Sequence, residues 1–329
     1  MTTIKRLGVL TSGGDAPGMN AAIRAVTRTA VNNNIEVLGI IGGYQGLIDD
    51  NIIPLDSYSV RGIIQRGGTM LLSARCALFK TEEGLAKAMQ TIKKRQMDAL
   101  VVIGGDGTFR GANDLIQHYH FPVIGIPGTI DNDIYGTEYT IGYDTCLNTV
   151  VEAVDKIRDT GSSHNRIFFV EVMGHESGFV AMNSGMACGA EIIMVPEQKN
   201  QMAKVRSFLA ERARLNKSSM IMVAEGVEGG AIAIAETVKK EFPQFDVRAS
   251  VLGYIQRGGS PSSKDRIAAS ELGVAAVNAL IEGKIGMMVG YERNCIHLEP
   301  LEKAVKMHKH INADIIKVAE SIGTFTPLD

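Results

Sequence analysis

At 329 residues and a formal net charge of −2, the chain has material for about two domains and lacks the bulk positive charge of a nonspecific nucleic-acid binder, which leaves room only for a local basic pocket. Apolar residues make up 45% and charged residues 21%, the balance of an ordinary globular protein, and the N-terminus MTTIKRLGVL runs straight into a strand with no apolar segment long enough for a signal peptide or a membrane span. Four cysteines (Cys76, Cys146, Cys188, Cys295) stand far apart with no CxxC pair, which fits reduced thiols in the cytoplasm better than disulfides or a zinc site.

Leu7 to Leu10 reads as a short apolar strand, followed at once by TSGGDAPGMNAAIR. Gly13 and Gly14 permit a tight turn, and Pro17 suits the first turn of a helix through Ala21, Ala22, Ile23 and Val26. Strand, glycine turn and helix N-terminus together face free amides and a positive dipole end toward an anion, although the spacing matches neither GxGxxG nor GxxxxGK[ST]. Arg24 and Arg28 share a face of that helix, as a solvated stripe or as half of an anion site. A second strand, Ile35 to Ile41, ends in GGYQG, another glycine turn. Residues 57–75 carry Arg66-Gly67-Gly68-Thr69 and Ser73-Ala74-Arg75, and Leu85 to Arg95 is an amphipathic helix. His118 and His120, an i, i+2 pair, point to opposite sides of a helix and read as surface residues, not metal ligands.

Asp98 to Gly105 is apolar almost throughout, as a buried parallel strand should be, and ends in Gly104-Gly105-Asp106-Gly107-Thr108. A carboxylate among glycines at a strand end can reach a phosphate-bound metal, and Mg²⁺ prefers one or two carboxylates plus phosphate oxygens and water. Pro122 to Ile126 is the next strand, broken by Pro127 and Gly128 and followed by Thr129, Asp131 and Asn132-Asp133. Two carboxylates so close need something positive beside them, or else form an Asx-rich turn. In a parallel sheet the carboxyl ends of strands are where ligands bind.

Alternation continues. Helices are expected at Asp144 to Arg158, Ser177 to Cys188, Met202 to Arg214, Ala231 to Glu241 and Ser263 to Ile281, with a last one at Lys303 to Ser321. Strands are expected at Arg166 to Val172, Glu191 to Val195, Met220 to Ala224, Val247 to Leu252, Met287 to Val289 and Cys295 to Leu298. This pattern predicts an α/β fold with two doubly wound parallel sheets packed directly, with no internal repeat.

Five segments in order, LTSGGDAPGMNAAIR, GGDGT, PGTIDND, MGxxxG and IQRGGSPxxxDR, closely resemble the bacterial ATP-dependent 6-phosphofructokinases from residue 5 to about 300. The resemblance implies two Rossmann-like lobes, 1–140 plus 254–303 for ATP and 141–253 plus 304–329 for fructose 6-phosphate and effector. It also implies Mg²⁺, a cytoplasmic glycolytic kinase, and a homotetramer whose active sites are shared between subunits. Carried over residue by residue, Gly14, Arg75, Cys76, Gly105, Asp106, Gly107 and Thr108 bind ATP, with Asp106 on the metal. Thr129, Ile130 and Asp131 bind sugar, Asp131 as general base, with Arg75 and Thr129 stabilising transition-state charge. Met173, Gly174, Glu225 and Arg257 add sugar contacts, and Arg166 and Arg248 reach the 6-phosphate from a neighbouring subunit.

Pyrophosphate-dependent relatives in that family carry aspartate at the position of Gly107 and lysine at that of Gly128, so the two glycines here favour ATP. His175 and Tyr254 stand where the best-known members have arginine and histidine, next to the sugar pocket. An ADP or phosphoenolpyruvate effector pocket is implied at Arg24, Arg28, Arg158, Glu191 and Arg214. There Ser57 and Asn216 replace basic residues; Arg61, if its stretch is helical, and Lys217 are candidates to compensate, and an unregulated basic patch stays open. The rival readings are a pyrophosphate-dependent enzyme, a lipid or NAD kinase with GGDG after a strand, and a catalytically silent sugar-phosphate sensor; the last predicts loss of Asp106 or Asp131, and both are present.

Overall fold

The computed structural model describes residues 4–161, 166–212 and 218–324. Two compact units emerge, the first from Met1–Ile130, Ile134–Thr145 and Arg257–Lys309, the second from Asp131–Asp133, Cys146–Gln256 and His310–Asp329.

In chain order the first unit begins with β1 (Arg6–Thr11), α1 (Met19–Asn32), β2 (Glu36–Ile40), α2 (Gly43–Ile48) and β3 (Ile52–Leu55). It continues with α3 (Glu82–Lys94), β4 (Ala99–Gly104), α4 (Asp106–Tyr119) and β5 (Val123–Pro127). Helix α5 (Tyr143–Gly161) carries the chain into the second unit. There follow β6 (Arg166–Val172), α6 (Phe179–Ala187), β7 (Ile192–Met194), α7 (Gln201–Arg212), β8 (Ser219–Ala224), α8 (Gly230–Glu241) and β9 (Asp246–Val251). The chain returns through α9 (Ser263–Ile281), β10 (Met287–Glu292), β11 (Cys295–Pro300) and α10 (Leu301–Lys306), and α11 (Ala313–Ser321) belongs again to the second unit.

The larger sheet runs β11-β10-β5-β4-β1-β2-β3, parallel from β10 to β2 and closed by an antiparallel strand at each edge. Its middle strand β4 is buried at every position because helices cover both faces, which explains its unbroken apolar run. One face packs Tyr44, Leu47, Phe109, Leu115 and Leu301 over Leu10, Leu100 and Val102. Helices α1 and α9 pack on each other at close range, where Gly273 leaves room: a methyl there would meet Ala25 Cβ at 2.6 Å. The smaller sheet is parallel throughout, in the order β7-β8-β6-β9.

Four expectations need correction. The stretch from Lys303 to Ser321 is two helices, because Met307 turns extended (ψ 149) and Asn312 then caps α11 by accepting from the Asp314 amide at 2.8 Å. GGYQG is the start of helix α2, entered through Gly42 and Gly43 at φ 86 and 63. Pro17 precedes α1 in a turn, with Gly18 (φ 108) at the cap. Arg61 lies in a turn, its amide bonded to the Tyr58 carbonyl at 3.0 Å, and not on a helix.

Candidate active site

Parallel register decides where the chemistry collects in the first unit. Thr11 pairs with Ile103 and Gly104 with Pro127, so β1, β4 and β5 end level and release three turns along one sheet edge. Those turns are bonded to each other. Ser12 N donates to Ile103 O (3.1 Å), Thr108 Oγ1 to Ser12 O (3.0 Å) and Gly128 N to Gly104 O (3.0 Å). Tyr44 OH donates to Thr108 O at 2.6 Å, its ring stacked on Phe79 with centroids 3.9 Å apart. Gly105 is extended, so α4 begins at Asp106 with its free amides toward the turn, the arrangement that suits a phosphate. At Gly104 a side chain would collide with Thr108 and the Ser12 carbonyl, so the close approach requires glycine.

Around this edge stand the charged groups. Asp106 is about half exposed and accepts from Arg110 Nε, one turn on, at 2.8 Å. That bond holds the Arg110 guanidinium above its ordinary range. Among the described residues no three His, Cys, Asp or Glu side chains gather as a metal cage. A single carboxylate at a helix start of this kind is a donor set that suits Mg²⁺, which prefers one or two carboxylates with phosphate oxygens and water. Arg75 is exposed, and Cys76 Sγ donates to Gln45 Oε1 at 3.1 Å. Arg257 reaches Gly14, where its guanidinium fills the space a β-carbon would need. Gly107 has nothing within 4 Å of a would-be β-carbon, whereas one at Gly128 would lie 3.1 Å from Ile103.

Past β5, Thr129 faces Gly105, and its carbonyl accepts from Thr140 Oγ1 at 2.7 Å. Ile130 is buried, Asn132 turns left-handed (φ 53), and the Oδ1 of Asp131 is shielded from solvent. Left-handed geometry is tolerated by asparagine better than by most residues, so the Asx-rich run makes a sharp turn after the strand.

In the second unit the paired strands β6 and β9 carry the arginines, Arg166 on the first and Arg248 on the second. Arg166 Nε donates to Asp246 Oδ2 at 2.8 Å, and Arg248 Nε lies 2.9 Å from Asp246 Oδ1. One carboxylate therefore holds both guanidinium groups, and the Arg166 bond chiefly draws the Asp246 carboxyl below its ordinary range. Past the end of β8, Glu225 Oε1 accepts from Gly174 N (3.2 Å) and His175 N (2.7 Å), which follow β6. Met173 N donates to Gln256 Oε1 at 3.1 Å, and Gln256 Nε2 donates to Gly253 O at 3.0 Å. Tyr254 and His175 are exposed.

The effector candidates divide between the units. Arg24 and Arg28 are neighbours on α1; partial burial first, and then the Arg28 charge, lower the Arg24 pKa. Arg158 donates to the Cys188 and Gly189 carbonyls (2.5 and 3.3 Å), and Glu191 accepts from Met220 N at 2.7 Å. Arg214, Asn216 and Lys217 lie outside the described residues. Ser57 is exposed.

Three polar residues of the site region escaped the sequence reading. Gln256 and Asn20 are buried, the latter donating to the Arg66 and Gly67 carbonyls (3.0 and 3.1 Å) and accepting from Met70 N (2.7 Å). Asp265 is fully buried as well. Their common signal was a polar residue on an otherwise apolar helix face or inside a glycine-rich motif.

A family model described as phosphofructokinase matches residues 6–280. The chain is 51% identical to ATP-dependent 6-phosphofructokinase 2 of Bacteroides thetaiotaomicron over 98% of this chain and 100% of that one. It is 52% identical to ATP-dependent 6-phosphofructokinase 1 of Thermus thermophilus over 97% and 100%. Among solved structures, T-state phosphofructokinase of Pichia pastoris is similar with TM-score 0.87 and 33% identity, over 98% of this chain but 37% of that one. Pyrophosphate-dependent phosphofructokinase from Marinobacter aquaeolei matches with TM-score 0.85 at 21% identity, over 99% and 94%, which speaks to fold alone. With the glycine turns on adjoining parallel strand ends, a family match over most of its length and near-complete relatives at about half identity, this chain belongs to the phosphofructokinase family.

Proposed function

We propose that this chain transfers the γ-phosphoryl group of ATP to the C1 hydroxyl of fructose 6-phosphate, giving fructose 1,6-bisphosphate and ADP, a step of glycolysis. The observation that carries the reading is the set of level strand ends, where Ser12–Gly14, Gly104–Thr108 and Pro127–Thr129 are hydrogen-bonded together. Phosphoryl transfer asks a protein mainly to position its reactants and to stabilise spreading negative charge, and backbone amides fixed on a rigid sheet edge do both.

In this reading the first unit binds nucleotide and the second the sugar phosphate. The amides of Gly105 to Gly107 and the helix start at Asp106 receive the phosphate tail, with Thr108, Gly14, Arg75 and Cys76 around it. Mg²⁺ held by Asp106 supplies charge neutralisation on the transferring phosphates. Asp131 takes the C1 hydroxyl proton as the oxygen attacks phosphorus and the bond to the ADP oxygen breaks. Thr129 and Arg75 meet the charge that develops. Met173, Gly174, Glu225 and Arg257 orient the sugar, with His175 and Tyr254 beside it. Arg166 and Arg248 hold the 6-phosphate of a neighbouring subunit's substrate in a homotetramer working in the cytoplasm. An ADP or phosphoenolpyruvate pocket at Arg24, Arg28, Arg158, Glu191 and Arg214 completes the reading, its test being sugar saturation with and without each effector.

Two features support ATP over pyrophosphate: the relatives' names and the small residues at Gly107 and Gly128. A coupled assay for fructose 1,6-bisphosphate with each donor tests this. Product with ATP and not with pyrophosphate is expected; the reverse would overturn the donor assignment.

A further inference from the structure

Asp265 is a carboxylate sunk completely into the first unit, and phosphoryl transfer as described above does not use it. Its surroundings are donors. Tyr139 OH (2.5 Å) and Gly142 N (2.6 Å) donate to Oδ1, and Thr145 N (2.8 Å) and Thr145 Oγ1 (2.5 Å) to Oδ2, with Ser262 Oγ a longer contact to Oδ2 at 3.5 Å. An ionised carboxylate only accepts, so it satisfies them all; an amide would turn its own N–H groups toward some of them. Burying a charge this way is an expensive route to stability, since an apolar side chain of similar size usually does as well.

The bonded segment has a second face. Ile141 N donates to Pro127 O at 2.9 Å, Ile141 bridges Gly128, and Thr140 Oγ1 donates to Thr129 O at 2.7 Å. The same segment packs against the first glycine turn, where a methyl on Gly142 would sit 2.7 Å from Ala16 Cβ. Asp265 is thus two hydrogen bonds from the strand end that presents Thr129.

We propose that Asp265 is a positioning residue for phosphoryl transfer: by gripping residues 139–145 it fixes the Pro127–Thr129 strand end on which the reacting groups are mounted. The inference rests on the ATP-to-sugar reading. It requires that loosening the grip slow the chemical step with little effect on either substrate's binding, because misplacement by a fraction of an ångström acts on kcat.

The test compares the full-length enzyme with Asp265→Asn, Tyr139→Phe, Thr140→Val, Thr140→Ser and Thr81→Ala variants, reading kcat, both KM values and the thermal midpoint. Thr81 caps α3 by accepting from Gly84 N at 3.1 Å, so its loss loosens a helix start of the same unit without touching the bonds around Asp265. Asp265→Asn, Tyr139→Phe and Thr140→Val are expected to lower kcat by roughly tenfold to a hundredfold with KM values within about threefold. Thr140→Ser, which keeps the hydroxyl, restores kcat, and Thr81→Ala lowers the midpoint and leaves kcat alone. The double variant Asp265→Asn/Thr140→Val falls little below the worse single, since both act along one path. If Asp265→Asn fails to fold, Tyr139→Phe and Thr140→Val carry the test. Folded Tyr139→Phe and Thr140→Val enzymes with kcat within about twofold of wild type would overturn the inference, as would an equal kcat loss in Thr81→Ala. A wild-type chain that does not phosphorylate fructose 6-phosphate would instead overturn the functional reading, and the inference with it.

Discussion

The strand ends of the seven-stranded sheet are built from backbone and glycine, whereas edge strand β9 of the four-stranded sheet is built from ion-paired side chains. In the first, the hydrogen bonds that shape the turns are internal and the amides left over point at whatever arrives. In the second, Arg166 and Arg248 already have a partner in Asp246, and an incoming phosphate would have to compete with that carboxylate for them. A backbone site is rigid before binding and resists substitution through sterics; a guanidinium site is adjustable and answers to salt and pH. The two should therefore fail differently when changed: one in rate, the other in affinity.

The largest effect belongs to the turn after β5. Asp131→Ser is expected to lower kcat by at least about 10²–10⁴-fold, the usual contribution of a positioned base, with sugar KM little changed. Near-normal kcat would remove Asp131 from that role. Next comes Arg248→Ala in the second unit, which on the proposed reading removes one charge-assisted contact to a non-reacting phosphate. Such bonds are worth about 1.5–3 kcal/mol, so sugar KM should rise by roughly tenfold to a hundredfold with kcat kept. Should kcat fall and KM stay, the rate-against-affinity division would be wrong.

How far the sequence carried this picture follows from the same contrast. Strand ends were legible because apolar runs stop abruptly at glycine and proline, and GGDGT and PGTIDND sit where a parallel sheet delivers its ligands. Register was not legible. Nothing in the sequence alone says that Thr11, Ile103 and Ile126 run level. Gln256, Asn20 and Asp265 were missed because a buried polar residue looks in sequence like an exposed one; only the fold reveals what its oxygens accept. The Asp246 clamp escaped for a related reason: its partner Arg166 is 80 positions away, and only the β6–β9 pairing joins them. The final helix was drawn too long because the polar stretch after Lys306 does not announce its break, which Asn312 repairs with a new cap.

Donor choice sharpens the contrast from the steric side. Gly107→Asp should fold as wild type, because open space surrounds the position, and should act on ATP use alone. Gly128→Lys is tighter, with its β-carbon 3.1 Å from Ile103 and 3.4 Å from Met19. Overpacking of that kind costs about 1–3 kcal/mol, so its urea midpoint should drop along with ATP turnover. Equal midpoints in the two variants would show that the Gly128 turn yields more readily than a backbone-built edge should.

The smallest effect is in pH, and here the two units have opposite signs. Asp246 titrates below its ordinary range because Arg166, and then Arg248, favour its charged form. Its contribution to stability is present above the ordinary carboxylate pKa and lost as pH falls through the lowered one. Asp265 titrates above its ordinary range because burial outweighs the four donors. Its protonated form is the one favoured by folding, so its contribution is full below the ordinary pKa and fades as pH rises through the raised one. Urea midpoints measured across the acid range should show this as two slopes. Asp246→Asn should flatten the loss toward low pH, by no more than about 1 kcal/mol, since the pair is partly exposed and screened. Asp265→Asn should remove the opposing slope at higher pH, leaving a variant that loses stability on acidification more steeply than wild type. If both substitutions tilt the profile the same way, then the carboxylate in the first unit is not paying for its burial and the distinction between the two anchors collapses.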